Sequence, residues 1–304
     1  MSRIFDAHSH YMPPQIASKT TFYRSSWSDL EWQLASMKQF GIEKALLLYP
    51  TSDAHVHMGG WKNVCEIYNE KIGEVVRKHS SSFVGGGILP LDDPEGMAKE
   101  LNRFRKMNLS VISLPSSFEG KYLDDPLFIP VFEYAQRHKM PIHVHPQIMA
   151  PIGEERVKDP LLTPVLEYVM DVSMTIGKMM MNETFRYFSD VNFIFAHYGG
   201  VLPFLKERFD STYAMLRTRG FVKDILKPPS EHFKNLYFDM SGSKSIACFF
   251  CALEVADPAH ILFGSDFPAN QALADTINVV KHSPLSGENK EDIFSRNLRR
   301  LLNL

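Results

Sequence analysis

The chain has 304 residues, 44% of them hydrophobic and 22% charged, an ordinary balance for a folded globular protein. A formal net charge of -2 leaves no basic surplus, so no nucleic acid partner is expected. No run approaches the ~20 apolar residues of a membrane span and no export signal heads the sequence, so a cytoplasmic protein with no membrane partner is expected.

The first predicted strand, residues 3–8, runs into Asp6-Ala7-His8-Ser9-His10. In extended backbone alternate side chains share a face, so His8 and His10 aim at one point with Asp6 one pleat behind. Two convergent imidazoles are half of a site for a divalent transition metal. A loop over 12–28 leads to a helix at 29–40, where Leu30, Leu34 and Met37 recur at helical spacing and Gly41 suits the stop. Residues 44–49 read as a buried strand, 50–60 as a loop carrying His55 and His57, and 61–79 as an amphipathic helix. The third strand, 83–89, contains Gly85-Gly86-Gly87, the mark of a bend or of close backbone approach. Pro94 suits the first turn of a helix at 94–107. A strand at 111–114, a helix at 126–138 and a strand at 141–145 follow, the last closed by Pro146.

A charged excursion over 147–163 precedes a helix at 164–188, in which Met179-Met180-Met181 reads as adaptable packing. Then come a sixth strand at 192–197, a helix at 203–219, a seventh strand at 236–241 and a helix at 243–255. The eighth strand, 261–267, and helices at 271–282 and 288–302 complete the order. There are three cysteines, an odd and low count that argues against a disulfide framework and fits a reducing compartment. Cys248 and Cys251 have redox-motif spacing, yet they lie in the apolar run 246–253 and are expected as packed core thiols. Strands alternating with helices predict an α/β fold, and at this length a closed (β/α)8 TIM barrel forming one domain over 1–304. The competing form, a doubly wound open sheet, normally carries a Gly-rich phosphate turn after its first strand, and none is present.

Barrel active sites form at the C-terminal ends of strands. Strand one ends in His8 and His10, strand five in His143 and His145, strand six in His197 and strand eight in Asp266. Chance would scatter the 12 histidines over helices and loops as well. A single strand-end histidine is commonly a hydrogen-bonded structural residue, and Asp266 could cap the turn after it. The concentration of His8, His10, His145, His197 and Asp266 at one rim is what favours a site. His143 lies one pleat deeper than His145 and reads as a residue behind the site or in the core, and Asp6 as a hydrogen-bond acceptor behind His8. His55 and His57 read as solvated loop residues. The loop aromatics Tyr11, Phe22, Tyr23, Trp27 and Trp61 either floor a planar pocket or pack the loops.

The order of these motifs resembles the amidohydrolase-related family, its "amidohydrolase 2" branch, and especially the metal-dependent decarboxylases and hydrolases around aminocarboxymuconate-semialdehyde decarboxylase. The resemblance rests on Asp6-Ala7-His8-Ser9-His10, His145-Pro146, Ala196-His197-Tyr198-Gly199-Gly200 and Gly264-Ser265-Asp266-Phe267-Pro268, and it covers nearly the whole chain. It implies that His8, His10, His145 and Asp266 bind one metal ion, zinc first and manganese as the alternative. It implies His197 as general acid/base and a homodimer in which Arg208 holds a substrate carboxylate across the interface; Lys206, Glu207 and Arg208 equally read as a solvated helix face. The two-metal members use a lysine at the end of strand four; here Val111-Ile112-Ser113-Leu114 offers none, so a single metal is expected. The implied function is nonoxidative decarboxylation of a small unsaturated or aromatic carboxylic acid, with Asp266 or a bound acid protonating the carbon that loses CO2. The alternatives are a hydrolase using a metal-activated water and a metal-binding protein without catalysis.

Overall fold

The computed structural model describes residues 3–21, 25–153 and 159–304. Phe22 and Tyr23 lie outside the described residues. Eight parallel strands form one sheet in the order β1 (Ile4–His10), β2 (Ile42–Leu48), β3 (Phe83–Gly87), β4 (Leu109–Pro115), β7 (Ile142–His145), β8 (Phe193–Phe195), β9 (Tyr237–Asp239) and β10 (Ile261–Leu262). Between β4 and β7 lies a two-stranded antiparallel ribbon, β5 (Ser117–Phe118) with β6 (Lys121–Tyr122), in a stretch that carries no predicted strand. The sheet closes where residues 263–267 run beside β1. Ala7 N–H donates to Phe263 O at 2.8 Å, Asp266 N–H to His8 O at 2.8 Å and His10 N–H to Phe267 O at 2.7 Å. The fold is thus the expected barrel.

Helices cover the outside, and their ends follow local chemistry. Leu30–Phe40 starts at Asp29, whose carboxylate accepts the Trp32 N–H, and stops at the left-handed Gly41. Pro94–Phe104 begins with its proline and an Asp93 cap on Gly96 N–H. The predicted helix at 164–188 is three pieces: a π turn over Thr163–Glu167, the helix Tyr168–Met181 and the short Thr184–Tyr187. Met179 and Met180 are buried packing and Met181 is partly buried against the same core, as expected of the cluster. Among the described residues no helix is long and apolar enough to cross a membrane.

Every residue of β1 is buried, as parallel strands covered on both faces require. Asp6 pairs with Ala45 but Ser9 with Leu47, three steps on β1 against two on β2. This bulge, at the level of Ala7 and His8, is a local extra residue of the kind that re-aims side chains beside active sites. The glycines of β3 mark close approach. A Cβ on Gly85 would stand 2.7 Å from Leu109 Cδ2, and one on Gly87 2.5 Å from the Phe104 ring.

One expectation fails. Cys248 and Cys251 are exposed, on the outer face of helix Ile246–Leu253, while Phe249 and Ala252 face the core. A run that is apolar throughout carries no polar contrast to fix which face turns inward.

Candidate metal centre

Three strand ends bring four imidazoles, and a fourth brings a carboxylate, to one rim. His8 Nε2 and His10 Nε2 are 3.0 Å apart, and the ligand atoms of His8, His10 and His145 all lie within 4.8 Å of one another. Asp266 Oδ1 stands 3.2 Å from His10 Nε2 and 3.6 Å from His8 Nε2. The His197 ring centroid is 5.5 Å from that of His8 and 6.5 Å from that of His145. The structure therefore brings together His8, His10, His145, His197 and Asp266.

The far nitrogens of these rings fix their tautomers. His10 Nδ1 faces Leu48 O at 3.2 Å, His145 Nδ1 faces Pro146 O at 2.9 Å and His197 Nδ1 faces Ser241 O at 3.1 Å. A carbonyl only accepts, so each Nδ1 carries the hydrogen and each Nε2 a lone pair. His8 Nδ1 donates to Asp239 Oδ2 at 2.9 Å, with the same consequence. The 3.0 Å contact between His8 Nε2 and His10 Nε2 then sets lone pair against lone pair, and Asp266 Oδ1 adds an anion to the same point. Such a cluster repels itself without a cation. Ligand nitrogens about 2.0–2.1 Å from a tetrahedral ion stand roughly 3.3 Å apart, so the spacing fits one divalent metal.

Burial works in the same direction. It lowers His8 to about 4, against the pull of Asp239, and together with His10 and His8 it holds His145 well below the ordinary histidine range. Both rings are neutral donors at physiological pH. Burial raises and the adjoining His10 and His8 rings lower the Asp266 carboxyl, whose net position is below the ordinary carboxylate range.

Asp239, at the end of β9, escaped the sequence reading. It is fully buried and accepts four hydrogen bonds. Oδ2 takes His8 Nδ1 at 2.9 Å and His143 Nε2 at 2.8 Å; Oδ1 takes His197 N–H at 3.2 Å and Ser241 N–H at 3.0 Å. The His8 and His143 bonds hold it well below the usual carboxylate range although burial opposes this. His143 thus sits behind the site through Asp239. Asp6 touches no imidazole. Its carboxylate accepts His8 N–H at 3.0 Å, Ser265 N–H at 2.9 Å and Ser265 Oγ–H at 2.5 Å, tying β1 to the turn that carries Asp266. The signal for Asp239 was a lone carboxylate at a strand end.

His197 sits on a left-handed turn, with φ of 52° at His197, 58° at Tyr198, 74° at Gly199 and 75° at Gly200. A Cβ on Gly200 would lie 2.0 Å from Val169 O, so the second glycine is needed for the approach itself. Two non-glycine residues in this region cost of the order of 1 kcal/mol or more each, held here by Asp239 and Ser241.

The rim opens into a cleft of about 390 Å³ walled by His10, Trp27, Pro146, Tyr168, His197 and Asp266 among others. Trp27 stacks on His10 at 5.7 Å, whereas Tyr11 is core and Trp61 stacks on His55 at 4.1 Å. Arg208 does not line this cleft. It is exposed on helix Leu202–Thr218, in a separate groove with Met180, Met181 and Phe209.

A barrel with histidines and an aspartate at its strand ends defines a class of metal-dependent enzymes. The amidohydrolase family model matches residues 5–304, and the chain belongs to that family. It is 25% identical over 209 residues to 2-amino-3-carboxymuconate-6-semialdehyde decarboxylase of Dictyostelium discoideum, covering 68% of this chain and 56% of that one. With decarboxylase macB of Penicillium terrestre the identity is 24% over 306 residues, covering 91% and 87%. The fold is similar to that of 5-carboxyvanillate decarboxylase from Sphingomonas paucimobilis, with a TM-score of 0.88, 21% identity and 100% of both chains covered. It is also similar to a dihydroxybenzoic acid decarboxylase from Polaromonas sp. solved with bound manganese and 2-nitroresorcinol, with a TM-score of 0.84, 20% identity and coverage of 100% and 98%.

Proposed function

We propose that this protein is a metal-dependent nonoxidative decarboxylase of a small aromatic or unsaturated carboxylic acid. The observation that carries the reading is the set of imidazole lone pairs converging with Asp266 on one point at the mouth of a cleft. His8, His10, His145 and Asp266 hold the ion in this reading. Three nitrogens and one carboxylate favour zinc, while manganese in a structural neighbour keeps that ion as the alternative. When bound, a divalent ion supplies a Lewis acid for carboxylate and phenolate oxygens.

The chain's own groups do the rest. Trp27 gives the cleft a flat wall beside His10 for a planar acid. His197, its Nδ1 hydrogen held by Ser241, keeps Nε2 free to take and return a proton. As the bond to the departing CO2 breaks, its electron pair stays on carbon, and Asp266, a carboxylate at rest, passes to that carbon a proton it has first accepted from the bound acid. The proposal includes a homodimer in which Arg208 serves the partner's cleft. Its support is the apolar groove beside Arg208 and the exposure of Phe204, 84% accessible on the same helix. CO2 release from a panel of hydroxybenzoic and muconic acids, with zinc or manganese supplied, tests the reaction. Products enlarged by water without CO2 would move the reading to a hydrolase, and no turnover with either metal would defeat both.

A further inference from the structure

Cys248 and Cys251 take no part in the proposed metal site, and their exposure is unusual, because free cysteine is among the most often buried residue types. The two stand one turn apart on helix Ile246–Leu253, where the buried Phe249 and Ala252 fix the core side and leave both cysteines on the outer face. By the radius and rise of an α-helix, Cα atoms three residues apart lie about 5 Å from one another, inside the roughly 4.4–6.8 Å that a disulfide spans. Their Cβ atoms, about 5–6 Å apart in a regular turn, must close to roughly 3.5–4.5 Å for a bridge. The third thiol, Cys65, is buried.

The closing movement falls on the first turn of the helix. Phe249 and Ala252 anchor the helix in the core, whereas Cys248 N–H is held by a 3.4 Å bond to Ser245 Oγ in the exposed cap. Gly242, Ser243 and Lys244 connect that cap to Ser241, whose carbonyl and hydroxyl oxygens lie 3.1 and 3.0 Å from His197 Nδ1. A change in the first turn therefore reaches the segment that holds the His197 ring.

We propose that Cys248 and Cys251 form a reversible dithiol–disulfide site, closed by exchange with a low-molecular-weight disulfide such as glutathione disulfide, with the closure borne by the turn behind His197. One thiolate attacks a sulfur of the external disulfide and expels a glutathione thiolate; the second attacks the mixed disulfide at the protein sulfur and expels the other. The protein pair loses two electrons and two protons, and two glutathione thiols carry them away. In a reducing compartment the dithiol is the resting form, and closure marks an oxidising excursion. The site stands whether or not the metal centre decarboxylates.

Titration of the metal-loaded full chain with glutathione disulfide, read by intact-mass and peptide mass spectrometry, tests it. The wild type should lose two hydrogens and carry a link between Cys248 and Cys251 that dithiothreitol reverses, with Cys65 untouched. Cys251→Ser and Cys248→Ser should each stop with one glutathione retained. Phenylarsine oxide, which needs two close thiols to be held, should stay on the wild type at one per chain through a monothiol wash and leave either variant. Hydrogen exchange over residues 241–249 should quicken in the closed form. Two glutathiones retained on the wild type, a bridge between chains, or thiols that no reagent reaches would overturn the site. A closed bridge with exchange over 241–249 unchanged would overturn its link to His197.

Discussion

His8 Nδ1 donates to Asp239 Oδ2 at 2.9 Å, inside the barrel and out of contact with solvent. The bond does two things at once. It keeps the hydrogen off His8 Nε2, and it leaves the other Asp239 oxygen to hold the His197 backbone. Asp239→Asn keeps the shape but turns one acceptor into a donor facing a donor. Metal affinity should fall about 10–100-fold, the usual cost of losing an outer partner of a ligand histidine. Chelator competition measures it, and circular dichroism checks that the barrel persists. Unchanged affinity would mean that His8 keeps its tautomer without this carboxylate.

Stripping the metal should cost stability, because the cluster left behind is self-repelling. A ligand present at about 100 times its dissociation constant adds roughly 2.7 kcal/mol to a folded state that alone binds it. Chelation should therefore lower Tm by several degrees, and zinc should restore it. His145→Ala removes one converging nitrogen and should make Tm indifferent to both treatments. A variant that still responds fully to zinc would place the ion elsewhere.

How much of this was legible in the chain depends on local contrast. His8 and His10 could be paired because period two in a strand is rigid geometry, and the motifs around His145, His197 and Asp266 stand at strand ends. Asp239 had no histidine beside it in sequence; its partners come from β1 and β7, and only closure of the barrel delivers them. The bulge at Ala7 and His8 was invisible, since strand register is set by the partner and not by the strand. The ribbon at Ser117 and Tyr122 is too short to leave a pattern. Arg208 could be placed on a helix, but which surface that helix faces depends on packing that sequence spacing does not encode.

The glycines of β3 give a stability prediction independent of the metal. Gly87→Ala would drive a methyl to 2.5 Å from Phe104 Cζ, in a core position where the ring is fully buried. Overpacking of this kind costs about 1–3 kcal/mol. Phe104→Leu alone should also destabilise, by leaving a gap. The double variant should lose less than the sum of the two, because the smaller side chain vacates the space the methyl needs. Urea denaturation of the four proteins provides the cycle. Strict additivity would show that the methyl is accommodated by a shift of β3 and not by the space the Phe104 ring occupies.

The place of Arg208 outside its own cleft leads to a test by mixing. If each site needs His197 from one subunit and Arg208 from its partner, His197→Ala and Arg208→Ala should each be close to inactive as homodimers. Subunits exchanged between the two variants would form mixed dimers. In a mixed dimer one site joins the intact His197 of one chain to the intact Arg208 of the other, and the second site lacks both. Random exchange makes about half the dimers mixed, so roughly a quarter of wild-type activity should return. Metal content should stay normal in both variants, since neither residue is a proposed ligand. Recovery of activity on mixing, set against none in either parent, would place a shared site between two copies of the chain. Mixing without recovery, while native mass spectrometry confirms exchange, would confine Arg208 to a solvated helix face.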